Sequence, residues 1–251
     1  MAYDLYALRW AVSEPRSAHD NFMPAPDTRV PQEPVPLHFF VWCARSAERV
    51  VLVDAGADEA CTRARGHIFE RCPTEALAAL GVRAGDVTDL VLTHLHWDHA
   101  GNIARFPNAR IYVHEAEAAY ATGHSIAHPY LRRPYDAGQV QSFVGALYEG
   151  RVTITGNEHT VAPDVTTRHV GGHTPGTQVV QVATRRGNVV LASDAVHYYA
   201  NIEYGVPFPV VVHVDDYLEA PAVVHVLASS DEHVISGHDP IVSASYRSPK
   251  Q

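Results

Sequence analysis

The 251-residue chain has few cysteines and a deficit of positive charge. Its three cysteines, Cys43, Cys61 and Cys72, form no Cys-x-x-Cys pair, which argues against a disulfide framework and against a thiolate zinc site. Lysine and arginine together number 19 against 28 aspartates and glutamates, so the formal net charge is −9. A chain of this charge lacks the cationic character that binds nucleic-acid phosphates or anionic membranes. We therefore expect no nucleic-acid partner, no membrane contact and a small-molecule ligand.

Long apolar runs and an export signal are also missing. No stretch of about 18 uninterrupted apolar residues is present, so no membrane helix is predicted. The N-terminal residues lack a basic region followed by an apolar run, and we expect a cytoplasmic protein. Hydrophobic residues make up 46% of the chain, which is enough for a large core. Without internal repeats or low-complexity tracts, residues 1–251 are predicted to form a single domain.

Strand-like and helix-like segments alternate along the chain. The predicted strands cover residues 3–12, 37–42, 50–54, 89–93, 111–113, 152–155, 165–170, 178–183, 189–192 and 233–236. The predicted helices cover residues 73–80, 115–121 and 216–228, with a helical insertion around 124–150. Prolines between residues 13 and 36 predict a long loop without regular structure. Interleaved strands and helices in two strand-rich halves favour an α/β sandwich.

Histidine is the residue that the chain has in excess, at 17 of 251 residues. The most informative histidines lie in the motif His94-x-His96-x-Asp98-His99. Because side chains two residues apart in an extended segment face the same side, His94 and His96 can bind one metal ion. A turn after them can direct Asp98 and His99 to a second ion. A chance match in a chain of this composition is expected on the order of 0.005 times, so the motif predicts a dinuclear metal site.

Further ligands must come from downstream residues, because a hydrolytic zinc ion binds about three protein ligands and a water molecule. His173, Asp194 and His238 each stand where a predicted strand ends in a loop. Glycines beside His173 and His238 permit sharp turns and a close approach of the backbone. Zinc, manganese, iron and cobalt all accept ligands of this mixed nitrogen and oxygen type, and zinc is the default.

The successive motifs resemble those of the metallo-β-lactamase superfamily. In chain order they are Val53-Asp54-Ala55-Gly56, Thr93-His94-Leu95-His96-Trp97-Asp98-His99-Ala100-Gly101-Asn102, Gly172-His173-Thr174-Pro175-Gly176, Ser193-Asp194-Ala195 and Gly237-His238-Asp239. The resemblance implies a four-layer αβ/βα sandwich with the metal site at one edge of the two sheets. It also implies two divalent metal ions, the first bound by His94, His96 and His173, the second by Asp98, His99 and His238, with Asp194 bridging them. Asp54 is expected to orient a ligand histidine.

Within the superfamily, Trp97, the Asp194 bridge and the Asp-Ala-x-x-Tyr-Tyr stretch resemble the N-acyl-homoserine lactonase branch, which includes pyridoxolactonase-like enzymes. True β-lactamases lack the bridging aspartate, and the flavodiiron branch has a glutamate in place of His96. Glyoxalase II relatives carry a basic C-terminal region that residues 215–251 lack. The resemblance implies a quorum-quenching lactonase whose metal-bridging hydroxide opens the ring of an N-acyl-homoserine lactone or another small lactone. Hydrolysis of a cyclic amide or thioester, and a catalytically silent metal-binding protein, stay as alternatives.

The lactonase branch commonly has a tyrosine three residues after the bridging aspartate, where its phenol polarises the lactone carbonyl. This chain has His197 there, followed by Tyr198 and Tyr199. His197 or one of the two phenols is expected to donate the hydrogen bond to the carbonyl oxygen. Asp98 is expected to pass a proton to the leaving alkoxide as well as to bind metal.

The walls of the substrate pocket and the oligomeric state are less legible in the sequence. Residues that could cap the pocket, or simply pack, are Phe22, Met23, Phe69, His124, His128, Tyr130 and Phe143. Most histidines outside the motifs are expected to be ordinary surface or hydrogen-bonded residues. The predicted helix 216–228 and the apolar run 208–212 could form the face of a homodimer, or belong to the core.

Overall fold

The computed structural model describes residues 2–23 and 29–246, in which two β-sheets pack together. The strands of the first sheet are β1 (Asp4–Ser13), β2 (Leu37–Arg45), β3 (Val50–Val53), β4 (Ile68–Phe69), β5 (Asp89–Val91), β6 (Arg110–His114) and β7 (Val152–Thr155). Those of the second sheet are β8 (Glu158–Ala162), β9 (Val165–His169), β10 (Gln178–Thr184), β11 (Gly187–Ser193) and β12 (Val234–Ser236). The spatial orders are β4-β1-β2-β3-β5-β6-β7 and β12-β11-β10-β9-β8.

Helices cover the outer faces of both sheets. They are α1 (Ala18–Asn21), α2 (Glu59–Ala64), α3 (Pro73–Ala78), α4 (Glu115–Ala121), α5 (Pro129–Arg132), α6 (Ala137–Tyr148), α7 (Tyr199–Tyr204), α8 (Val214–Leu227) and α9 (Ile241–Ser245). Short 3-10 turns occupy Ala84–Asp86, Ile103–Arg105, His124–Ala127 and Asp231–His233. Within the described ranges, none of these helices has the length and apolar character needed to span a bilayer.

Neighbouring side chains of the central strands pack on opposite faces of their sheet, as the twofold repeat of an extended chain requires. On β2, Phe39 belongs to the core cluster that includes residues of α3 and α6, whereas Phe40 and Trp42 belong to the core between the two sheets. On β10, Val180 faces that same core and Val179 packs with α8. The resulting order of helix, sheet, sheet and helix confirms the predicted four-layer αβ/βα sandwich.

The structure differs from the prediction mainly in short elements. The proline-rich loop contains α1, which fits between Pro15 and Pro24, while residues 24–28 of that loop lie outside the described residues. The prediction also lacked α2, although Asp58 caps it by accepting a hydrogen bond from the Cys61 backbone nitrogen at 2.7 Å. Strand β8 was not predicted because it begins with the polar residues Glu158 and His159. It lies at the edge of its sheet, where the hydrophobic pattern is weak.

Parallel pairing brings the ends of several strands to one edge of the sandwich. In the first sheet, β3, β5, β6 and β7 are parallel neighbours, and in the second sheet β11 and β12 are parallel. The carboxyl ends of parallel strands meet at one edge of a sheet, where ligand-binding loops commonly lie. The loops after β3, β5, β11 and β12 carry Asp54, the histidine motif, Asp194 and His238.

Candidate metal centre

Close approach of the loops brings the predicted ligands together. Gly172 has φ +82°, and a Cβ at this position would lie 2.6 Å from the backbone nitrogen of Tyr217. A Cβ at Gly237 would lie 2.5 Å from the carbonyl oxygen of Ser193. Any other residue would therefore push these loops away from α8 and β11, so glycine beside each ligand is a requirement of the packing.

Seven predicted ligands, none more than 8% exposed, form two adjoining groups. The histidine group consists of His94, His96 and His173, and the mixed group of Asp98, His99 and His238. In each group, one ligand atom per residue lies within 4.8 Å of the others, close enough to share one ion. Asp194 forms further groups of this kind with His94 and His99, and with His173 and His197.

Asp194 lies between the two groups and presents one oxygen to each. Its Oδ1 atom is 2.9 Å from His238 Nε2 and 3.3 Å from His99 Nε2, both in the mixed group. Its Oδ2 atom is 3.1 Å from His173 Nε2 and 3.8 Å from His94 Nε2, both in the histidine group. A carboxylate in this position has the geometry of a bridging ligand.

Hydrogen bonds fix the ring orientation of three of the histidines. The Nδ1–H groups of His173 and His238 donate to the carbonyl oxygens of Val210 at 2.6 Å and His38 at 2.8 Å. His99 Nδ1 lies 2.8 Å from an Asp54 carboxylate oxygen, as predicted for that aspartate. Each bond leaves the Nε2 lone pair directed to the centre, which is the arrangement that metal-binding histidines use.

The donor atoms also suit a cation because one of them has no other partner. His94 Nε2 is buried and forms no hydrogen bond, and the Asp194 Oδ2 atom lies 3.8 Å from it. A buried nitrogen without a partner is costly, and a cation among these nitrogens and carboxylates removes the cost. The residues present therefore fit divalent metal ions.

Protonation divides the two groups in the metal-free protein. Burial, together with the neighbouring imidazoles, holds the pKa values of His94 and His96 well below 6.5, and burial also lowers the pKa of His173. Burial works against protonation of His99 and His238 too, but nearby Asp98 and Asp194 outweigh it and raise both pKa values. In the metal-free protein, the mixed group therefore binds protons more readily than the histidine group does.

His197 and the two following tyrosines occupy different places. His197 Nε2 is 3.0 Å from Asp194 Oδ2, its Nδ1 is 3.1 Å from the Tyr217 hydroxyl, and burial lowers its pKa to about 3. The Tyr198 hydroxyl donates to the Pro36 carbonyl at 3.5 Å and that of Tyr199 to the Val234 carbonyl at 3.0 Å. Of the three, His197 alone lines the cavity above the predicted ligands, and the roles of all three stay predictions.

A fully buried carboxylate lies behind the histidine group. Glu117 on α4 accepts hydrogen bonds from the Leu95 backbone nitrogen at 2.9 Å, the Tyr135 hydroxyl at 3.0 Å and the Thr174 hydroxyl at 2.5 Å. Burial raises its pKa, while these donors and the Gly176 backbone lower it in part. Glu117 thereby connects the two loops that carry the histidine group to the residues before α6.

A cavity of about 500 Å³ opens over the predicted ligands. Apolar side chains, among them Phe39, Trp97 and Phe208, form much of its wall, and the His67 ring stacks on Trp97 at a centroid distance of 5.3 Å. None of the seven residues suggested from the sequence as caps lines this cavity, but Tyr130 lines a smaller adjoining one together with His96 and His173. Phe22 and Phe143 lie in the core instead.

Several residues that shape the centre were not predicted from the sequence. They are Arg65, His67, Glu117, Tyr135 and Tyr217. Each acts through a partner far away along the chain, such as Glu117 with Thr174, 57 residues apart, and no local spacing signals such a pair.

Comparison with known proteins agrees with this arrangement. A family model described as the metallo-beta-lactamase superfamily matches residues 39–238. This chain belongs to the metallo-β-lactamase superfamily. It is 30% identical over 185 residues to an N-acyl homoserine lactonase from a Bacillus species, covering 67% of this chain and 68% of that protein. It is 27% identical over 230 residues to the N-acyl homoserine lactonase AttM of Agrobacterium fabrum, covering 85% of each.

Solved structures confirm the metallo-β-lactamase fold. A quorum-quenching N-acyl homoserine lactone lactonase superposes with a TM-score of 0.78 at 24% identity, covering 98% of this chain and 97% of that one. The dizinc quorum-quenching lactonase AidC superposes with a TM-score of 0.70 at 17% identity, covering 95% and 91%. The predicted resemblance to lactonases of this superfamily is confirmed by the two relatives found by sequence.

Proposed function

We propose that this superfamily member is a dinuclear metal-dependent hydrolase that opens a lactone ring, either of an N-acyl homoserine lactone or of another small lactone. The proposal rests mainly on the position of the Asp194 carboxylate. It presents one oxygen to each ligand group, beneath a cavity open to small molecules. The lactonase relatives support the choice of a lactone.

The chemistry of ring opening divides between the metal ions and the chain. When bound, two divalent ions lower the pKa of a water molecule towards neutrality and polarise the carbonyl group. His99 and His238 place their Nε2 atoms towards Asp194, so the carboxylate is held between the groups. The apolar wall formed by Phe39, Trp97 and Phe208 limits the water around the reacting carbonyl.

Asp98 is the residue that we expect to move the proton. Burial works against its ionisation, but the nearby His99 outweighs this effect and lowers the pKa of Asp98 below its usual range. Its carboxylate lines the cavity, 3.2 Å from His99 Nε2, and is placed to take a proton and pass it to the leaving alkoxide.

Substitution Asp98→Asn tests this role. We expect kcat/KM for a lactone to fall by about a hundredfold or more, because general acid catalysis contributes on this scale. Metal content measured on the same sample separates the proton transfer from metal binding. Full activity at full metal content would contradict the role of Asp98.

The proposed function itself is tested by elemental analysis joined to a pH-indicator assay of acid release on lactones, cyclic amides and thioesters. Two metal ions per chain with turnover of a lactone are expected. Turnover of only an amide or a thioester would replace the lactone by that substrate. A chain that binds metal but hydrolyses none of the three classes would support a silent metal-binding protein.

Further parts of the proposal concern the metal, the assembly and the setting. We propose zinc as the native metal, because its usual ligands are histidine and aspartate, and elemental analysis of the protein as purified tests this.

Val214, Leu218 and Val226 are exposed on α8, and a homodimer through this helix is tested by light scattering. A cytoplasmic quorum-quenching role is tested by fractionating cells and assaying loss of acyl-homoserine lactone signal.

A further inference from the structure

The cavity over the metal centre carries positive charge although the chain as a whole is acidic. Arg16, Arg65 and Arg133 line it, and the described carboxylates of its wall are Asp20 and the two predicted ligands Asp98 and Asp194. The Asp20 carboxylate already accepts hydrogen bonds from the Ser17 backbone and hydroxyl at 2.7 and 2.8 Å. With a net charge of −9 for the chain, this concentration of arginine is a local feature of the cavity.

None of these three arginines has a carboxylate partner among residues 2–23 and 29–246, unlike Arg9, Arg49, Arg63, Arg83, Arg151 and Arg168. Other arginines, such as Arg71 and Arg132, also form no ion pair within these ranges, but they do not line the cavity. A guanidinium group in a partly apolar cleft attracts anions more strongly than one in open solvent, because the low-dielectric wall concentrates its field.

The contacts of the three side chains assign them different tasks. Arg65 donates to the backbone carbonyls of Arg133 at 3.0 Å and Tyr135 at 2.9 Å, and its guanidinium lies 5.1 Å from the centre of the Trp97 ring. It therefore holds in place the segment that carries Arg133. The Arg133 guanidinium lies 5.6 Å from the Tyr130 ring, and its side chain forms no hydrogen bond with the described residues. Its nitrogen donors are available to a ligand.

Arg16 stands on the side of the cavity next to His197. Its guanidinium donates to the Asn21 side chain at 2.5 Å, to the Ser13 hydroxyl at 3.5 Å and to the Asp20 carbonyl, and it lies 5.7 Å from the centre of the Phe208 ring. Phe208 in turn stacks on His197 at 3.8 Å. Arg16 is thus held by contacts within the protein and adds positive charge to the cavity wall, whereas Arg133 keeps its donors free.

We propose that the lactone taken by this cavity carries a carboxylate, on its ring or on its side chain, that Arg133 binds. This inference rests on the proposed function and narrows its substrate class. Guanidinium groups bind carboxylates through charge-assisted and often paired hydrogen bonds. The proposal favours a carboxylated lactone over a neutral acyl lactone of similar size.

A matched pair of probes tests the proposal: 5-oxotetrahydrofuran-2-carboxylate and its carboxamide, which share one lactone ring. With the metal-loaded protein at low ionic strength, we expect kcat/KM to be at least about tenfold higher for the carboxylate, as one charged hydrogen bond supplies. The preference should shrink in 0.5 M NaCl, because salt screens exposed charges. If another lactone is the better substrate, the same ratio is expected between the inhibition constants of the two probes.

Neighbouring arginines supply the matched variants. Arg133→Gln should lower the ratio between the two probes about tenfold, as loss of one charge-assisted hydrogen bond does. Arg132→Gln removes the same charge from an exposed residue that does not line the cavity and whose side chain donates to the Ala127 carbonyl, so the ratio should stay unchanged. A ratio of one or less in the unaltered protein, or equal changes in the two variants, would overturn the inference. Absence of any lactone hydrolysis would instead overturn the proposed function.

Discussion

The histidine group and the mixed group meet the same carboxylate, Asp194, but differ in charge and in their supports. The histidine group contains no acid, and burial keeps the pKa values of its members below 6.5. The mixed group includes Asp98, and the neighbouring aspartates raise the pKa values of His99 and His238. A metal ion therefore competes with protons more strongly in the mixed group than in the histidine group.

The supports behind the two groups differ in the same way. Behind the histidine group, Glu117 joins two loops through neutral donors, among them Thr174. Behind the mixed group, Asp54 bonds His99 directly and also accepts from the Thr93 backbone and hydroxyl at 2.8 and 2.9 Å. One support fixes the backbone and the other fixes a ring, so the two groups can be perturbed separately.

Asp194→Asn removes the charge that the two groups share and has the largest expected effect. We expect both metal ions to be lost and kcat/KM to fall by about a thousandfold or more, because catalysis depends on both ions. Elemental analysis and the lactone assay measure the two outcomes. The exposed Asp231→Asn serves as a control of equal charge change. Retention of two ions at normal affinity would show that Asp194 does not bridge.

His96→Asn and His238→Asn separate the groups. Each variant should keep about one metal ion per chain and lose activity by roughly a hundredfold or more, since one ion cannot supply the chemistry of two. Visible spectra of the cobalt-loaded variants should differ, because the remaining ion has three histidines and one carboxylate after His238→Asn, and two histidines and two carboxylates after His96→Asn. Loss of both ions in both variants would mean that the groups bind metal as one unit.

The supports are compared by Glu117→Gln and Asp54→Asn. Residues that orient metal ligands typically contribute about ten- to a hundredfold to metal affinity, and we expect changes of that size. Glu117→Gln should lower the metal affinity of the histidine group, and Asp54→Asn should lower that of the mixed group. Competition with a chelator measures both affinities. A purely structural role would lower thermal stability without this selectivity, so melting curves are recorded alongside.

Lowering the pH should have the smallest effect of these tests, a reversible release of metal from one ligand group before the other. Because the pKa values of His99 and His238 are raised above 6.5, protons compete for the mixed group from above that pH downwards. In the histidine group the pKa values lie below 6.5, so competition begins only at lower pH. After dialysis near pH 6.5, about one ion per chain should remain, and elemental analysis checks this number. Simultaneous release of both ions would show that the two groups do not differ in their competition with protons.

The sequence, with its resemblance to the superfamily, was enough to predict the four-layer fold and the seven ligands that the structure brings together. Strand patterns are local, and the motif around His94 is compact, so both can be identified without the structure. The cavity wall could not be predicted in this way. Arg65 reaches the carbonyl of Arg133, 68 residues later, and Glu117 reaches Thr174, so their roles depend on tertiary packing. Apolar side chains proposed as caps, such as Phe143, are buried in the hydrophobic core instead.

The position of Trp97 has a practical consequence. Its indole ring stands in the cavity wall, stacked on His67 and beside the Arg65 guanidinium, one residue before Asp98. We expect the emission of an indole in such a place to change when cations or small molecules enter the cavity. Trp97 is thus expected to report site occupancy by fluorescence, and Trp97→Phe identifies the part of the signal that comes from this ring rather than from Trp10 or Trp42.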